Sequence, residues 1–364
     1  MSTIYVNGKF LAQRTTGVQR VAHSLLKALD TRQGGLPGRW VLLCPPDSEL
    51  PILKNIEVRR LGRFPGPLHG WEQTTLPWAS QGGLLLNLSG SAPWFGHHQA
   101  CILHDAAVFD APLAYTAVFV QWYRALFQHL ARQNGPLLTV SEHSRDRLAL
   151  HLHIDRARIA VVPNGGDHLD GVVADPGALA RLGLLNARFL LVVASDNPSK
   201  NINGLLAAFA RLSDRSDRAD YRLVIVGGGN TSVFARGSLQ GSQPGVVRAG
   251  NIDDAGLKAL YQSAVALVLP SFYEGFGLPA LEAMQCACPV IASNLPALRE
   301  VCADAALYVD PYSVDDIASA MRRVLDDSAL RESLRAAGLA RASQWRWAAS
   351  AERLLAALPI GAQA

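Results

Sequence analysis

The sequence is poor in cysteine and in lysine. Its 364 residues include five cysteines, and none of them forms a CxxC pair. Cys286 and Cys288 are separated by one residue, which does not meet the ordinary spacing of zinc ligands, so free thiols in a reducing compartment are expected. Only five of the 34 basic residues are lysines. Arginine therefore carries most of the positive charge.

Long apolar runs and a secretion signal are also missing. No stretch approaches about 18 consecutive apolar residues, the length at which a membrane-spanning helix is suspected. The opening residues, MSTIYVNGKFLAQRTTG, have no basic segment followed by an apolar one, and a signal peptide requires both. We therefore expect a cytoplasmic protein, with a peripheral contact to the inner membrane as an open alternative.

Charge is scarce and nearly balanced. Charged residues make up 18% of the chain and hydrophobic residues 49%, with a formal net charge of +4. This composition excludes a disordered chain, and it lacks the strong basic stripe of a nucleic-acid binder. At about 100–200 residues per domain, the length predicts two domains.

Short apolar runs alternate with helical patterns along the chain, which predicts α/β domains with parallel sheets. Runs of this kind include 40–43, 83–86, 101–103, 137–140 and 159–162, and after a Gly- and Pro-containing stretch near 170–186 the pattern restarts at 189–194. We predict domains over residues 1–170 and 171–343, followed by a C-terminal helix at 344–364 that packs back on the first domain. Ligands are expected in a cleft between the two domains, beyond the carboxyl ends of the strands.

The most informative stretch is LPSFYEGFGLPALEAMQCACPVIASNLPALRE, residues 269–300. A predicted strand ends at Pro270, a glycine-rich loop follows, and Pro279 suits the first turn of a helix. Glu274 lies in the loop and Glu282 lies eight positions later in the helix. Free amides at 276–278 suit a phosphate, and the carboxylates can accept hydrogen bonds from sugar hydroxyls. Together these groups predict a nucleotide-sugar site.

This segment resembles the E-x7-E signature of retaining glycosyltransferases with the GT-B fold, in particular the family 4 (group 1) type and its mannosyltransferases. The resemblance extends over nearly the whole chain and rests mainly on YEGFGLPALEAM followed by PVIAS. It implies two Rossmann-like domains facing a deep interdomain cleft, with a C-terminal helix that crosses back to the first domain. It also implies that the N-terminal domain binds the acceptor and that the C-terminal domain binds the nucleotide-sugar donor.

Three further segments agree with the resemblance. TTGVQR at 15–20 looks like the family's glycine loop, in which the backbone of Gly17 approaches the donor diphosphate. NPSKN at 197–201 looks like the P-x-K-N loop, whose lysine, here Lys200, pairs with the diphosphate. His104, in an HD pair, would face the donor sugar. One departure is that Ala194 and Ser195 stand where many relatives carry a second basic residue, so Lys200 is left as the principal cation.

The resemblance implies a set of site residues. His104, Glu274 and Lys200 are expected to be catalytic, with Glu274 on the sugar hydroxyls and Glu282 on the ribose. The expected donor-binding residues are Gly17, Asn197, Lys200, Gly227, Gly228, Asn251, Ile252, Glu274, Gly275, Phe276, Gly277, Leu278 and Glu282. No acceptor-binding residue is assigned. No DxD motif lies in a plausible site, so we expect no metal and no cofactor beyond the nucleotide-sugar co-substrate.

The predicted reaction moves a hexose from a nucleotide sugar to a saccharide or lipid-linked saccharide acceptor in bacterial polysaccharide or O-antigen biosynthesis. Mannose from GDP-mannose is the first expectation, and dTDP-rhamnose and UDP-sugars stay open. A sugar-nucleotide epimerase of the same fold and a non-catalytic sugar-binding protein are the alternatives. An aromatic and basic rim that could touch a membrane is expected, with core packing of its tryptophans as the alternative. Its members are Trp71, Trp78, Trp94, Phe95, Arg59, Arg60 and Arg63.

Overall fold

The computed structural model describes residues 3–62, 67–96, 98–213, 221–228 and 243–360. Internal contacts divide the chain into two units. The first contains Met1–Ala106, Gln121–Gly165 and Arg346–Ala364, and the second contains Ala107–Val120 and Gly166–Trp345. Each unit is built around its own parallel sheet.

The first unit has a seven-stranded sheet in the order β3-β2-β1-β4-β5-β6-β7. Its strands are β1 (Thr3–Asn7), β2 (Arg39–Cys44), β3 (Glu57–Arg60), β4 (Gly83–Asn87), β5 (Gln99–Ile102), β6 (Leu137–Thr139) and β7 (Ile159–Val161). All neighbours pair in parallel, with Thr3 opposite Gly83 in β1 and β4. The inner strands are apolar runs because helices cover both faces of a parallel sheet.

The second unit has a six-stranded parallel sheet in the order β10-β9-β8-β11-β12-β13. Its strands are β8 (Arg188–Val193), β9 (Tyr221–Val226), β10 (Val246–Gly250), β11 (Ala266–Leu269), β12 (Val290–Ser293) and β13 (Leu307–Val309). Residues of β8, β9 and β11 pack with those of helices at 202–213 and 314–326 in one apolar core. The predicted α/β class with two parallel sheets is therefore confirmed.

The helices alternate with the strands, as the sequence pattern predicts. They are α1 (Gly17–Asp30), α2 (Leu68–Ala79), α3 (Ala107–Asp110), α4 (Ala117–Arg132), α5 (Glu142–Leu152), α6 (Gly177–Arg181), α7 (Ile202–Ser213), α8 (Asp254–Ser263), α9 (Leu278–Gln285), α10 (Pro296–Cys302), α11 (Val314–Asp326), α12 (Ser328–Ala342) and α13 (Trp347–Ala357). The last helix, α13, belongs to the first unit, where it packs against α1. Arg32 and Glu352 form an ion pair at 2.7 Å within that unit.

Each sheet has one point at which the strand order reverses. In the first sheet β1 lies between β2 and β4, and in the second β8 lies between β9 and β11. The loops that leave such neighbouring strands diverge to opposite sides, which opens a crevice at their carboxyl ends. Ligands of open α/β sheets bind there, so the loops after β1, β4, β8 and β11 are the first places to look for a site.

Two sequence predictions concern the whole chain. Among the described residues, no helix combines the length and the apolar character needed to cross a bilayer. The five cysteines are buried and form no disulfide. Burial raises the pKa of the Cys44 and Cys302 thiols to about 12, so these thiols are protonated and unreactive at neutral pH.

Candidate functional site

Lys200 lies in a tight turn after β8, the central strand of the second sheet. A 3-10 turn covers residues 198–200, and the side chain of Asn197 caps it by accepting the amide of Ser199 at 2.8 Å. The predicted Asn197 is thus a capping residue that shapes the lysine turn. The side chain of Lys200 is about one-fifth exposed and stands at the carboxyl edge of the sheet.

Asn201 holds the same turn from its other side, a role that the sequence did not assign. Its backbone is in the left-handed region, at φ 53°, which asparagine tolerates better than most residues. Its side-chain amide donates to the carbonyl oxygens of Pro270 and Pro311, at 3.1 and 2.7 Å. Because these two prolines follow β11 and β13, Asn201 ties the lysine turn to two other strand ends.

Lys200 and Glu274 form an ion pair, with 2.8 Å between Nζ and Oε1. Glu274 is buried, and its Oε1 also accepts the hydroxyl of Ser271 at 2.7 Å. The amide of Phe272 donates to the carbonyl of Ser199 at 2.7 Å, which joins the two loops through their backbones. The structure therefore brings two of the predicted catalytic residues together at the reversal point between β8 and β11.

The Lys200–Glu274 pair keeps binding capacity on both partners. An ammonium group has three N–H donors, and within the described residues Lys200 gives one of them, to Glu274. The hydrogen bonds from Lys200 and Ser271 both fall on Oε1 of Glu274, so Oε2 accepts no hydrogen bond from a described residue. The pair can thus offer donors to an oxyanion and an acceptor to a hydroxyl within one small region.

The loop after Glu274 contains a glycine that the backbone requires. Gly277 caps α9 at φ 99°, and a Cβ there would lie 2.4 Å from Cδ2 of Leu298. The side chains of Phe276 and Leu278 are buried, and the Phe276 ring packs edge-on against Trp345 at 5.4 Å. Only the backbone of these three residues is therefore suited to a ligand, as expected for an amide cradle at a helix start. Gly275 lies beside Glu274 in the same loop.

Glu282 is held inside the second unit by contacts with His168 and Tyr261. The Nε2 of His168 lies 2.9 Å from its Oε1, and the hydroxyl of Tyr261 donates to its Oε2 at 2.8 Å. Burial, and then the Glu282 charge, raise the pKa of Tyr261 well above its ordinary value. The sequence reasoning missed both partners. Glu282 therefore links α9 to α8 and to the turn at 167–169, and its contact with a ribose stays a prediction.

Four further residues of the expected donor-binding set lie at the ends of β9 and β10. The Gly227 amide donates to the Gly250 carbonyl at 2.7 Å. At its φ of 110° a Cβ would lie 2.2 Å from the carbonyl oxygen of Ala194, whereas Gly228 has open space around it. Asn251 is exposed and Ile252 is half-buried. These four residues share the carboxyl edge that carries Lys200; Gly229, the next glycine, lies outside the described residues.

Gly17 is the first residue of α1 in the first unit. The side chain of Gln19 accepts the Thr16 amide at 3.3 Å, which stabilises the helix start. A Cβ on Gly17 would meet no atom within 4 Å. Packing therefore does not require glycine here, and the open space leaves the backbone accessible to a ligand.

His104 follows β5 and is a neutral hydrogen-bonding residue. Its Nε2 lies 2.9 Å from the carbonyl oxygen of Leu88. A carbonyl only accepts, so Nε2 carries the proton and Nδ1 is the acceptor in the neutral ring. Burial lowers the pKa of His104 to about 4. At neutral pH it can accept a hydrogen bond from a hydroxyl, but it supplies no positive charge.

We expect His104 to make the protein less stable in mild acid. Its pKa is about 4 in the folded chain and about 6.5 in an unfolded chain. Between these values the unfolded chain binds more protons, so the free energy of unfolding falls as the pH is lowered. The contribution of this one group approaches about 3 kcal/mol at the acid end.

Urea unfolding across this pH range, on wild type and on His104→Asn, measures the effect. Asparagine does not titrate, so the variant should lose less stability between neutral pH and about pH 4. Parallel stability curves for the two proteins would contradict the assignment.

The aromatic residues of the expected membrane rim divide between the core and the surface. Trp71 is 1% exposed and packs in the core with Val41 and Leu85, so the alternative of core packing holds for Trp71. Trp94 stacks on His129 at 4.3 Å. Trp78 and Phe95 are exposed, and Arg63 lies outside the described residues.

The second unit matches a known family over most of its length. Residues 181–341 match the model described as glycosyl transferases group 1. These residues form a glycosyl transferases group 1 domain. The predicted family resemblance is thereby confirmed. The domain contains Lys200, Glu274 and Glu282, whereas Gly17 and His104 lie outside the matched range.

Curated relatives of this chain include two mannosyltransferases. It is 34% identical over 250 residues to the O-antigen chain mannosyltransferase B of Escherichia coli, which is 67% of this chain and 65% of the relative. It is 33% identical over 217 residues to the MMP alpha-(1->4)-mannosyltransferase of Mycolicibacterium hassiacum, which is 57% of this chain and 49% of the relative. The chain thus spans about half to two-thirds of the length of these relatives.

Among solved structures, the fold is similar to that of WaaG, a glycosyltransferase involved in lipopolysaccharide biosynthesis. The TM-score is 0.74 over 99% of this chain and 100% of WaaG, at 16% identity. At this level of identity the similarity concerns the fold alone. It confirms the predicted GT-B architecture of two Rossmann-like domains.

Proposed function

We propose that this chain is a retaining hexosyltransferase that transfers mannose from GDP-mannose to a saccharide or lipid-linked saccharide in bacterial polysaccharide or O-antigen synthesis. The observation that carries the proposal is the Lys200–Glu274 pair, which stands at the strand-order reversal of a group 1 domain. The choice of mannose rests on the two mannosyltransferase relatives. The choice of GDP rests on the resemblance described above.

Lys200 would act on the leaving group. As the bond between the anomeric carbon and the phosphate oxygen breaks, its electron pair stays with the diphosphate. The two N–H donors that Lys200 does not give to Glu274 would stabilise that growing charge, together with backbone amides at 276–278. The matched domain and the cation already in place support a reaction without a divalent metal, which we propose.

Glu274 would bind the donor sugar rather than attack it. Lys200 and Ser271 both donate hydrogen bonds to its Oε1, and a carboxylate oxygen that accepts two hydrogen bonds is a poor nucleophile. Oε2 would accept a sugar hydroxyl. The acceptor oxygen would then bond to the anomeric carbon on the face that the phosphate leaves, and its proton would pass to a phosphate oxygen. This front-face path retains the anomeric configuration.

Thermal unfolding with GDP, UDP and dTDP, each beside its mannose, glucose or rhamnose conjugate, tests the donor. A ligand specific to the native state stabilises it by about 2.7 kcal/mol at a hundredfold excess over Kd. We expect GDP and GDP-mannose to raise Tm most. Selective stabilisation by UDP or dTDP would indicate a different donor. The absence of a Tm shift with any nucleotide would contradict the proposed function.

The products then separate the reaction classes. We expect an α-linked mannoside from the α-linked donor, observed by NMR, in the presence of a glycoside acceptor. An inverted linkage would remove the front-face path. Conversion of the nucleotide sugar to an isomer without acceptor would favour an epimerase instead.

A further inference from the structure

The first unit contains a buried charged cluster that the predicted site does not use. We call it the Lys9 cluster, and it comprises Asn7, Lys9, His69, Glu72 and Ser91. Lys9 and Glu72 are each 1% exposed and form an ion pair at 2.6 Å. Charged groups are almost never buried to this extent unless they are paired. The burial and pairing of both charges indicate that the cluster has a specific role in the unit.

The Lys9 cluster stands where ligands bind in an open parallel sheet. Asn7 is the last residue of β1, Ser91 follows β4, and His69 and Glu72 lie in the first turns of α2. β1 and β4 are the neighbours at which the strand order of the first sheet reverses. The carboxyl ends of these two strands are thus the expected ligand-binding edge of this unit.

The buried members of the Lys9 cluster hydrogen-bond to one another. Glu72 Oε1 accepts the side-chain amide of Asn7 at 3.0 Å and the hydroxyl of Ser91 at 2.7 Å. Burial raises the pKa of Glu72, but the neighbouring His69, the Lys9 charge and the hydrogen bonds from Lys9 and Ser91 outweigh burial and hold the pKa at about 2. Lys9 completes the network by donating to Glu72 and, at 3.3 Å, to Ser91.

The remaining contact of Lys9 leads out of the core. Its Nζ lies 3.0 Å from Nδ1 of His69, whose side chain is 59% exposed. An ammonium group has donors only, so Nδ1 of the ring must accept, which leaves Nε2 as the N–H donor. An exposed histidine ordinarily exchanges tautomers. Here a buried lysine holds the ring as an Nε2–H donor.

The loop at 88–91 contacts both His104 and the Lys9 cluster. The carbonyl oxygen of Leu88 accepts a hydrogen bond from Nε2 of His104, and Ser91, three residues later, belongs to the Lys9 cluster. Gly90 lies between them, and a Cβ there would stand 3.3 Å from Cδ2 of His104. The loop at 88–91 therefore connects His104, an acceptor at Nδ1, with a cluster that presents a donor at His69.

We propose that His69 binds an oxygen of the acceptor saccharide and that Lys9 and Glu72 are positioning residues that hold it as an Nε2–H donor. The proposal rests on the hexosyltransferase function proposed above and supplies an acceptor-binding residue that the sequence left unassigned. A buried ion pair is often no more stabilising than apolar residues of similar volume. Fold stability alone therefore does not explain why the buried ammonium group of Lys9 donates one hydrogen bond to the exposed ring of His69.

Acceptor kinetics with His69→Ala and His69→Gln test the contact. The probes are octyl α-mannoside, octyl β-glucoside and octyl β-galactoside, with GDP-mannose as donor. We expect His69→Ala to raise the acceptor KM about tenfold, the loss of one neutral hydrogen bond, with an unchanged Tm shift on adding GDP. Glutamine places an N–H near the Nε2 position, so His69→Gln should recover most of the acceptor affinity.

His98→Ala is the matched control. His98 is an exposed histidine of the same unit at the amino end of β5, the opposite edge of the sheet, so its removal should leave acceptor KM unchanged. An acceptor KM in His69→Ala equal to that of wild type would overturn the proposal. So would a panel in which no glycoside binds the wild type by saturation-transfer NMR.

The positioning role has its own readout. Nitrogen-15 NMR of labelled histidine should show His69 in the Nε2–H form, and an Nδ1–H ring would overturn the assignment. Replacing the pair together, as Lys9→Met with Glu72→Met, avoids an unpaired buried charge. The acceptor KM of that protein should exceed the wild-type value about as much as the KM of His69→Ala does. Adding His69→Ala to it should change the acceptor KM little because the residues act as one unit.

The two proposals can fail separately. If wild type shows no Tm shift with any nucleotide and transfers no sugar, the proposed function fails. If donor binding and transfer are intact while the His69 variants keep wild-type acceptor KM, only the acceptor contact fails.

Discussion

Replacing Lys200 by alanine is expected to lower kcat/KM for sugar transfer about a hundred- to a thousandfold. In the proposed reaction Lys200 would provide the fixed positive charge where the diphosphate departs, and Ala194 and Ser195 supply no second cation beside it. Ser271 still donates to Glu274 in the variant, and the Tm without nucleotide measures how far the loss of the Glu274 counter-charge lowers the stability. Initial rates with labelled GDP-mannose measure the effect, and the Tm shift with GDP should shrink as well.

Lys27→Ala is the control for this experiment. Lys27 is an exposed lysine of α1 in the first unit, so its removal lowers the net charge equally without touching the proposed donor contacts. A Lys200→Ala protein that transfers sugar within a few-fold of Lys27→Ala would show that Lys200 does not act on the leaving group.

Replacing Glu274 by glutamine is expected to lower kcat about tenfold to a hundredfold, the loss of one charged hydrogen bond to the sugar. Its effect on nucleotide binding should have the opposite sign to that of Lys200→Ala. Without the Glu274 charge, the Lys200 ammonium is released from its ion pair and the diphosphate meets no neighbouring carboxylate. GDP should therefore bind more tightly to Glu274→Gln than to wild type, as measured by calorimetry.

The double variant completes the cycle. Because Lys200 and Glu274 touch, the combined loss of activity should be smaller than the product of the single losses. Equal weakening of GDP binding in both single variants, or strictly multiplicative losses, would indicate that the ion pair is only structural.

Local patterns found most of the fold because buried parallel strands are short apolar runs. They missed β3, β13, α2 and α10, and the omissions of β3 and α2 have a physical cause in the sequence. β3 is an edge strand with the polar sequence EVRR, so it has no apolar run. α2 contains Pro77 in its interior and has only a weak apolar stripe, so neither helix propensity nor periodicity marks it.

The partners of the site residues were beyond the reach of local patterns. His168 is 114 positions from Glu282 in the chain, and Lys9 is 63 positions from Glu72. Nothing in either local sequence signals the contact, because sheet topology alone brings the strand ends together. The same holds for Asn201, whose two carbonyl partners follow two different strands.

The sequence by itself predicted the fold class, the group 1 domain and Lys200 and Glu274 as candidate site residues. It could do so because strand alternation, glycine-rich loops and the two glutamates are local features, and a local feature can be recognised in the linear sequence. Only the tertiary structure decided that Lys200 neutralises Glu274, that His104 presents Nδ1, and that a buried lysine sets the tautomer of His69. These properties depend on distance, burial and hydrogen-bond direction, which arise when segments far apart in the chain meet at the edge of a sheet.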